Sequence, residues 1–111
     1  MNMPISYIKA CAKNNKINFS AHAIQRMGER KIRKNKVLHT IIYGEVIEQQ
    51  DYTNLKNSDI KVVFQEECED VPEMYVVVAA CAIPEVITVC KTNEEVWDYV
   101  KGRLKRRKKY D

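Results

Sequence analysis

No stretch of this chain is apolar for long enough to span a bilayer as a helix, which takes about 20 residues. The first residues, Met1-Asn2-Met3-Pro4, lack the basic-then-apolar pattern of a secretory signal, so the expected location is cytoplasmic, with no membrane contact. Cysteine is sparse and scattered. Cys11, Cys68, Cys81 and Cys90 include no two at the spacing of a zinc knuckle or a redox pair. Cys81 and Cys90 lie in apolar, strand-like runs, where a reduced thiol behaves as a small hydrophobe, and free thiols suit a reducing compartment. No His/Cys/Asp/Glu spacing indicates a metal, and no cofactor is expected. Internal repeats and a domain boundary are also missing. The 111 residues, 45% of them hydrophobic, therefore read as one domain, 1–111, with a single core.

Acidic residues are scarce at both ends. The net charge is only +4, but residues 1–43 hold nine Lys/Arg against Glu29 alone. Residues 44–100 hold three (Lys56, Lys61, Lys91) against thirteen acidic groups, and the basic tail 101–111 holds seven against Asp111. This layout suggests that both ends meet a polyanion while the middle does not. The plainer alternative is that opposite-charge surfaces pair within the fold or with a partner.

What the chain does have is one segment with a chemical face, Phe19-Ser20-Ala21-His22-Ala23-Ile24-Gln25-Arg26-Met27-Gly28-Glu29-Arg30. Ser20 suits an N-cap, accepting from a free N–H of the first turn. Phe19 at N′ and Ile24 at N4 have the spacing of a hydrophobic staple. Ala23, Ile24 and Met27 would face a core. His22, Arg26 and Arg30 succeed one another at i, i+4 and form one stripe beside that apolar face, away from Gln25 and Glu29. An imidazole and two guanidinium groups at the edge of a buried face make a reasonable phosphate site. The bland reading is two solvated arginines and a structural histidine.

The periodicity predicts a first helix over Ile5 to Lys16, with Ile5, Ile8, Cys11 and Ala12 inward and Ser6 as a possible cap; Asn14-Asn15 ends it. A third helix is expected over 33–43, with Val37, Leu38, Ile41 and Ile42 buried and Gly44 as a left-handed C′ residue. The cluster Lys31, Arg33, Lys34 and Lys36 opens it against the helix dipole, a conflict that a bound phosphate would relieve. His39 reads as a surface or packing residue. From Glu45 the pattern turns to strands: Glu45–Tyr52, Ile60–Glu67, Met74–Ala82 and Val86–Lys91. The run Tyr75–Cys81 should be central. Asn57-Ser58-Asp59 and Glu69-Asp70-Val71-Pro72 read as hairpin loops and Pro84-Glu85 as a tight turn. Thr92-Asn93-Glu94-Glu95 resembles a capping box, and Val96, Trp97, Val100 and Leu104 predict a C-terminal helix fraying into Lys105–Lys109. The expected fold is α+β: N-terminal helices packed on a four-stranded antiparallel sheet, with a C-terminal helix.

Phe19-Ser20-x-His22-Ala23-x-x-Arg26-Met27-x-x-Arg30-x-Ile32 closely resembles the signature of a bacterial family, domain-of-unknown-function family 4258. Gly44-Glu45-Val46-Ile47-Glu48, the Val-rich strand and Val86-Ile87-Thr88-Val89 resemble it too, so the likeness covers a core from about Phe19 to Trp97 (19–97). That family is similar in pattern to RelE-like and barnase–EndoU–colicin-like small ribonucleases, many of them toxins of toxin–antitoxin pairs. Its members often resemble toxins partnered by a zinc-finger antitoxin with a helix-turn-helix domain. The resemblance implies that His22, Arg26 and Arg30 are the site, with Thr88 a weaker match. This chain departs from the pattern at Arg33, where a small polar cap is usual, at Lys31, where Gly is frequent, and in its C-terminal extension.

The chemistry expected of such a stripe is metal-independent RNA cleavage, in which the 2′-hydroxyl attacks phosphorus and the 5′-oxygen leaves. An imidazole suits the proton transfer, since its unperturbed pKa is near 6.5. Guanidinium forks suit the phosphorane charge. His22 is then the acid or base and Arg26 and Arg30 the clamp. Lys91, Thr88, Arg33, Lys34 and the tail are the substrate-binding candidates. Tyr52 or Tyr75 are candidate stacking residues, although strand packing is their simpler role. The alternatives are a non-catalytic nucleic-acid-binding module and a protein-interaction module.

Overall fold

A computed structural model describes residues 3–50, 60–66, 73–92, 97–100 and 103–106. In chain order these form α1 (Met3–Lys13), β1 (Asn18–Phe19), α2 (Ala21–Arg30), α3 (Lys34–Tyr43), β2 (Glu45–Gln50), β3 (Lys61–Gln65), β4 (Met74–Ala79), β5 (Glu85–Lys91), β6 (Trp97–Val100) and β7 (Arg103–Arg106). The α+β class holds. The main sheet differs from the expected one: it has five strands in the order β1-β5-β4-β3-β2. β2 to β5 are the antiparallel meander read from the alternating runs. β1 is the addition, a two-residue strand parallel to β5. Two residues carry no periodicity to read. Backbone bonds hold β1, with Asn18 N–H on the Pro84 carbonyl at 2.9 Å and Ser20 N–H on that of Val86 at 3.0 Å.

The expected C-terminal helix is instead a two-stranded antiparallel hairpin, with Trp97 opposite Arg106 and Val100 opposite Arg103. Trp97, Tyr99 and Val100 are aromatic or β-branched, the residue types that favour a pleated surface. That preference outweighs the i, i+4 recurrence of a few apolar positions. Asn93, Glu94 and Glu95 of the expected capping box, Val96, most of the basic tail, Tyr52, Cys68 and both expected hairpin loops lie outside the described residues.

All three helices pack on one face of the sheet. Ile8 and Ala12 of α1, Ala23 and Met27 of α2, and Val37 and Ile41 of α3 share one buried cluster with Val62, Phe64, Met74, Val76, Val78, Val86 and Val89. β4 is central, as expected, with Val76 and Val78 buried beneath the helices and Tyr75 and Val77 half-buried on the other face. The spacing of Val86 and Val89, three residues rather than two, follows from a bulge. β5 pairs Val77 with Thr88 and Val78 with Val86, leaving Ile87 as the extra residue. A bulge of this kind resets which side chains face inward.

Several local expectations are corrected. α1 begins at Met3, so Ser6 lies inside it, and it ends at Lys13, with Asn15 left-handed at φ 58°. Of the residues assigned to α3's buried stripe, Leu38 and Ile42 are only half-buried, and Thr40 takes the third buried place. Its hydroxyl donates to the Lys36 carbonyl at 2.9 Å, which makes burial affordable. Gly44 has φ −76° and is extended, not left-handed. Glycine is needed for closeness: a Cβ there would lie 2.1 Å from the Gln65 carbonyl oxygen and 2.3 Å from that of Thr40. The bend between β4 and β5 falls at Cys81–Ile83, ahead of Pro84-Glu85, so Cys81 lies in the bend rather than a strand. Among the described residues no helix is long and apolar enough to cross a membrane.

Candidate nucleic-acid interface on the second helix

α2 starts as the sequence predicts. Ser20 is its N-cap, with φ −67° and ψ 159°, and its Oγ accepts from Ala23 N–H at 3.0 Å. The same hydroxyl donates to the Ile87 carbonyl at 2.9 Å. Ser20 thus caps the helix and satisfies the carbonyl of the bulge residue of β5. At the other end Arg30 donates from its guanidinium to the Val89 carbonyl at 3.0 Å. β1 pairs with Glu85 and Val86, and among the described residues no strand lies beside the outer edge of β5 beyond them. Side chains from the two ends of α2 bond its carbonyls instead.

The stripe forms, and it is tied at more than one point. His22 is exposed and Arg26 and Arg30 are half-buried. Arg26 Nε donates to His22 Nε2 at 3.5 Å, a long contact. Its terminal nitrogen pairs with Glu29 at 3.0 Å across one turn, and Gln25 also donates to Glu29 at 3.2 Å. The stripe is therefore not separate from Gln25 and Glu29, as the wheel alone suggested. The Gln25 amide, then Arg26, with the nearby charge of Arg30, hold the Glu29 carboxyl below its ordinary pKa. Ile24, expected to face the core, is 50% exposed, while Ala23 and Met27 are buried.

The other candidates divide by location. Lys91 is exposed at the end of β5 and, by strand alternation, shares a face with Val89, whose carbonyl Arg30 holds. Thr88 lies on the opposite face, paired across from Val77, with its hydroxyl 3.7 Å from Cys90 Sγ. The structure does not bring Thr88 to the stripe. Arg33 is the N-cap of α3 and makes no side-chain capping bond. The Lys34 ammonium lies 5.2 Å above the Phe19 ring, at cation–π distance. Lys36 pairs with Glu66.

Three features escaped the sequence reading. Arg30 uses a donor on the strand edge, Glu29 competes for Arg26, and His39 and Tyr43 stack on the outer side of α3 with ring centroids 4.7 Å apart. The last two had a sequence signal, an i, i+3 charge pair and an i, i+4 pair of ring residues. Among the described residues no three His, Cys, Asp or Glu are grouped to hold a metal.

Fold and stripe together define a small α+β domain whose capping helix carries a polar His–Arg edge. The family model described as domain of unknown function, DUF4258, matches residues 19–91, and the chain belongs to that family. The match runs from β1 to the end of β5, so α1 and the β6–β7 hairpin lie outside it. No curated protein and no solved structure matches the chain.

Proposed function

We propose that the α2 stripe binds and cleaves RNA without a metal. The observation that carries this reading is the exposed imidazole of His22 beside the Arg26 guanidinium at 3.5 Å. In the reaction the RNA 2′-oxygen bonds to phosphorus and the bond from phosphorus to the 5′-oxygen breaks, giving a cyclic phosphate and a free 5′-hydroxyl. His22 acts as acid or base, taking the 2′-hydroxyl proton or protonating the leaving oxygen. A 3.5 Å contact is easily exchanged. Arg26 is then available to swing onto a phosphate oxygen, which frees the Nε2 lone pair for proton transfer. The remaining donors of Arg30, anchored at Val89, steady a second phosphate oxygen. Lys91, Arg33 and Lys34 supply attraction for flanking phosphates.

A second reading has its own support. Arg26 is shared with Glu29 and Arg30 with Val89, which suits a module that grips nucleic acid and cuts nothing. The sequence resemblance also suggests a zinc-finger, helix-turn-helix antitoxin as partner, and cytoplasmic action.

Incubating total RNA with the wild-type chain, His22→Ala and Arg26→Ala in EDTA decides between the readings. Cleavage needs both side chains in the nuclease reading, with a loss of about 100-fold or more at His22. Salt-dependent retention of intact RNA by all three proteins would leave only the binding module.

A further inference from the structure

We infer that the outer face of α3 is a second contact surface for single-stranded RNA, with the His39–Tyr43 ring pair as a platform for an unpaired base. The inference rests on the reading of the chain as an RNA-binding protein, but it uses residues that play no part in the cleavage chemistry. α3 buries Val37, Thr40 and Ile41, so the opposite side of the helix faces solvent. Asn35, His39 and Tyr43 follow at i, i+4 along that side, and all three are exposed, Tyr43 by 58%. A phenol and an imidazole left largely in water, with their ring centroids 4.7 Å apart and tilted by 44°, gain the fold little. Such a pair does present π surface, on which any base stacks.

Charge selects the occupant. Every helix lies in one layer on one sheet face, and residues 1–43 hold nine Lys/Arg against Glu29. The helical layer itself is therefore rich in cations. Two cations at the amino end of α3, Lys31 and Arg33, are exposed and form no ion pair among the described residues. Lys36 is neutralised by Glu66 and is not counted. From Arg33 to Tyr43 the helix rises about 15 Å, a span that a few nucleotides of an unpaired strand cover. Phosphates then sit at the basic end and a base on the rings. A protein partner would have to meet the same cations, and nothing on this face other than the rings, Leu38 and Ile42 would suit it.

The test is fluorescence anisotropy with a 5′-fluorescein oligouridylate carrying 2′-O-methyl groups, which cannot be cleaved. The proteins are wild type, Tyr43→Ala, Tyr43→Phe, His39→Ala and Arg26→Ala, each checked for folding by circular dichroism. Tyr43→Ala is expected to weaken binding about ten-fold, Tyr43→Phe to preserve it, and an oligomer with abasic sites to erase the difference. If Tyr43→Ala and His39→Ala bind as wild type while Arg26→Ala binds weakly, the platform is overturned and the α2 site stands. If Tyr43→Ala weakens binding but the wild type cleaves no RNA, the platform stands and the nuclease reading falls. Loss of self-association in Tyr43→Ala with unchanged RNA affinity overturns the platform in favour of a protein interface. No binding by the wild type at low salt overturns both readings.

Discussion

Glu29 is the residue on which the proposed site turns. Its carboxylate accepts from Gln25 and pairs with Arg26 in contact with water, where an ion pair holds only weakly. A phosphate offered to Arg26 has to displace it. Glu29→Gln is therefore expected to raise RNA affinity by up to about five-fold, read as a lower dissociation constant in the same anisotropy assay. The carboxyl's folded pKa is lowered, so its contribution to stability is present above the ordinary carboxylate range and is lost as pH falls through the folded value. Lys31 offers a second test. It is the C-cap of α2 with φ 57° and ψ 42°, a conformation in which a Cβ is disfavoured by roughly 1 kcal/mol and glycine is not. Lys31→Gly is expected to stabilise the fold by about 0.5–1 kcal/mol, seen as a higher urea midpoint, while weakening RNA retention through the lost cation. At this position the backbone itself thus prefers glycine.

Among the elements, α1 holds the end of α3, although it lies outside the family match. Its Lys9 ammonium donates to the carbonyls of Ile41, Ile42 and Gly44 at 2.7, 2.9 and 3.0 Å. It also lies 5.2 Å from the Phe64 ring centroid. These carbonyls end α3, where the helix has no further N–H groups to offer them and where the dipole favours a cation. The carbonyls favour the charged amine, but partial burial, helped by Lys13, draws its pKa below the ordinary value. The folded chain then gives up this proton before the unfolded chain does. This group's contribution to stability accordingly rises with pH through the window between the lowered value and the ordinary one. Lys9→Met keeps the stem's packing and removes the donors. It should cost about 2 kcal/mol at neutral pH and flatten that alkaline slope, both measurable by urea unfolding at a series of pH values. Tyr7, one turn away from Cys11 on α1, adds a bond from its hydroxyl to the Ala82 carbonyl in the β4–β5 bend. α1 thus touches both α3 and the far end of the sheet.

For the whole molecule, residues 1–43, which form the helical layer, hold nine Lys/Arg against Glu29 alone. Contact with RNA through that layer releases counterions, so retention should fall with salt at a slope near −0.7 per neutralised phosphate. The bound fraction measured between 50 and 300 mM salt gives that slope directly, and Arg33→Gln should make it shallower by about 0.7. A slope near zero in the wild type would leave the charge asymmetry with no role in binding.

How much of this could be read in advance follows from the range of each signal. The Ser20 cap, most of the buried faces of α1 and α2 (Ile24 excepted) and the four-strand meander come from local periodicity and capping chemistry, which operate within a few residues. The two-residue β1, the bulge at Ile87 and the tie from Arg30 to Val89 are contacts between segments distant in the chain. No local pattern encodes them. The C-terminal segment held two local signals in conflict, helical spacing and strand-forming residue types, and only pairing across the hairpin decided between them.

By itself, then, the sequence determined the α+β class, the family membership carried by the α2 motif, and the excess of positive charge at the N-terminal end. Each depends on residue identity at short spacing. Tertiary structure alone decided that the three helices share one face and that Arg30 serves the sheet edge. It also decided that Gly44 is needed for closeness and that His39 and Tyr43 remain in water. Each of these depends on which distant backbone a side chain finally meets.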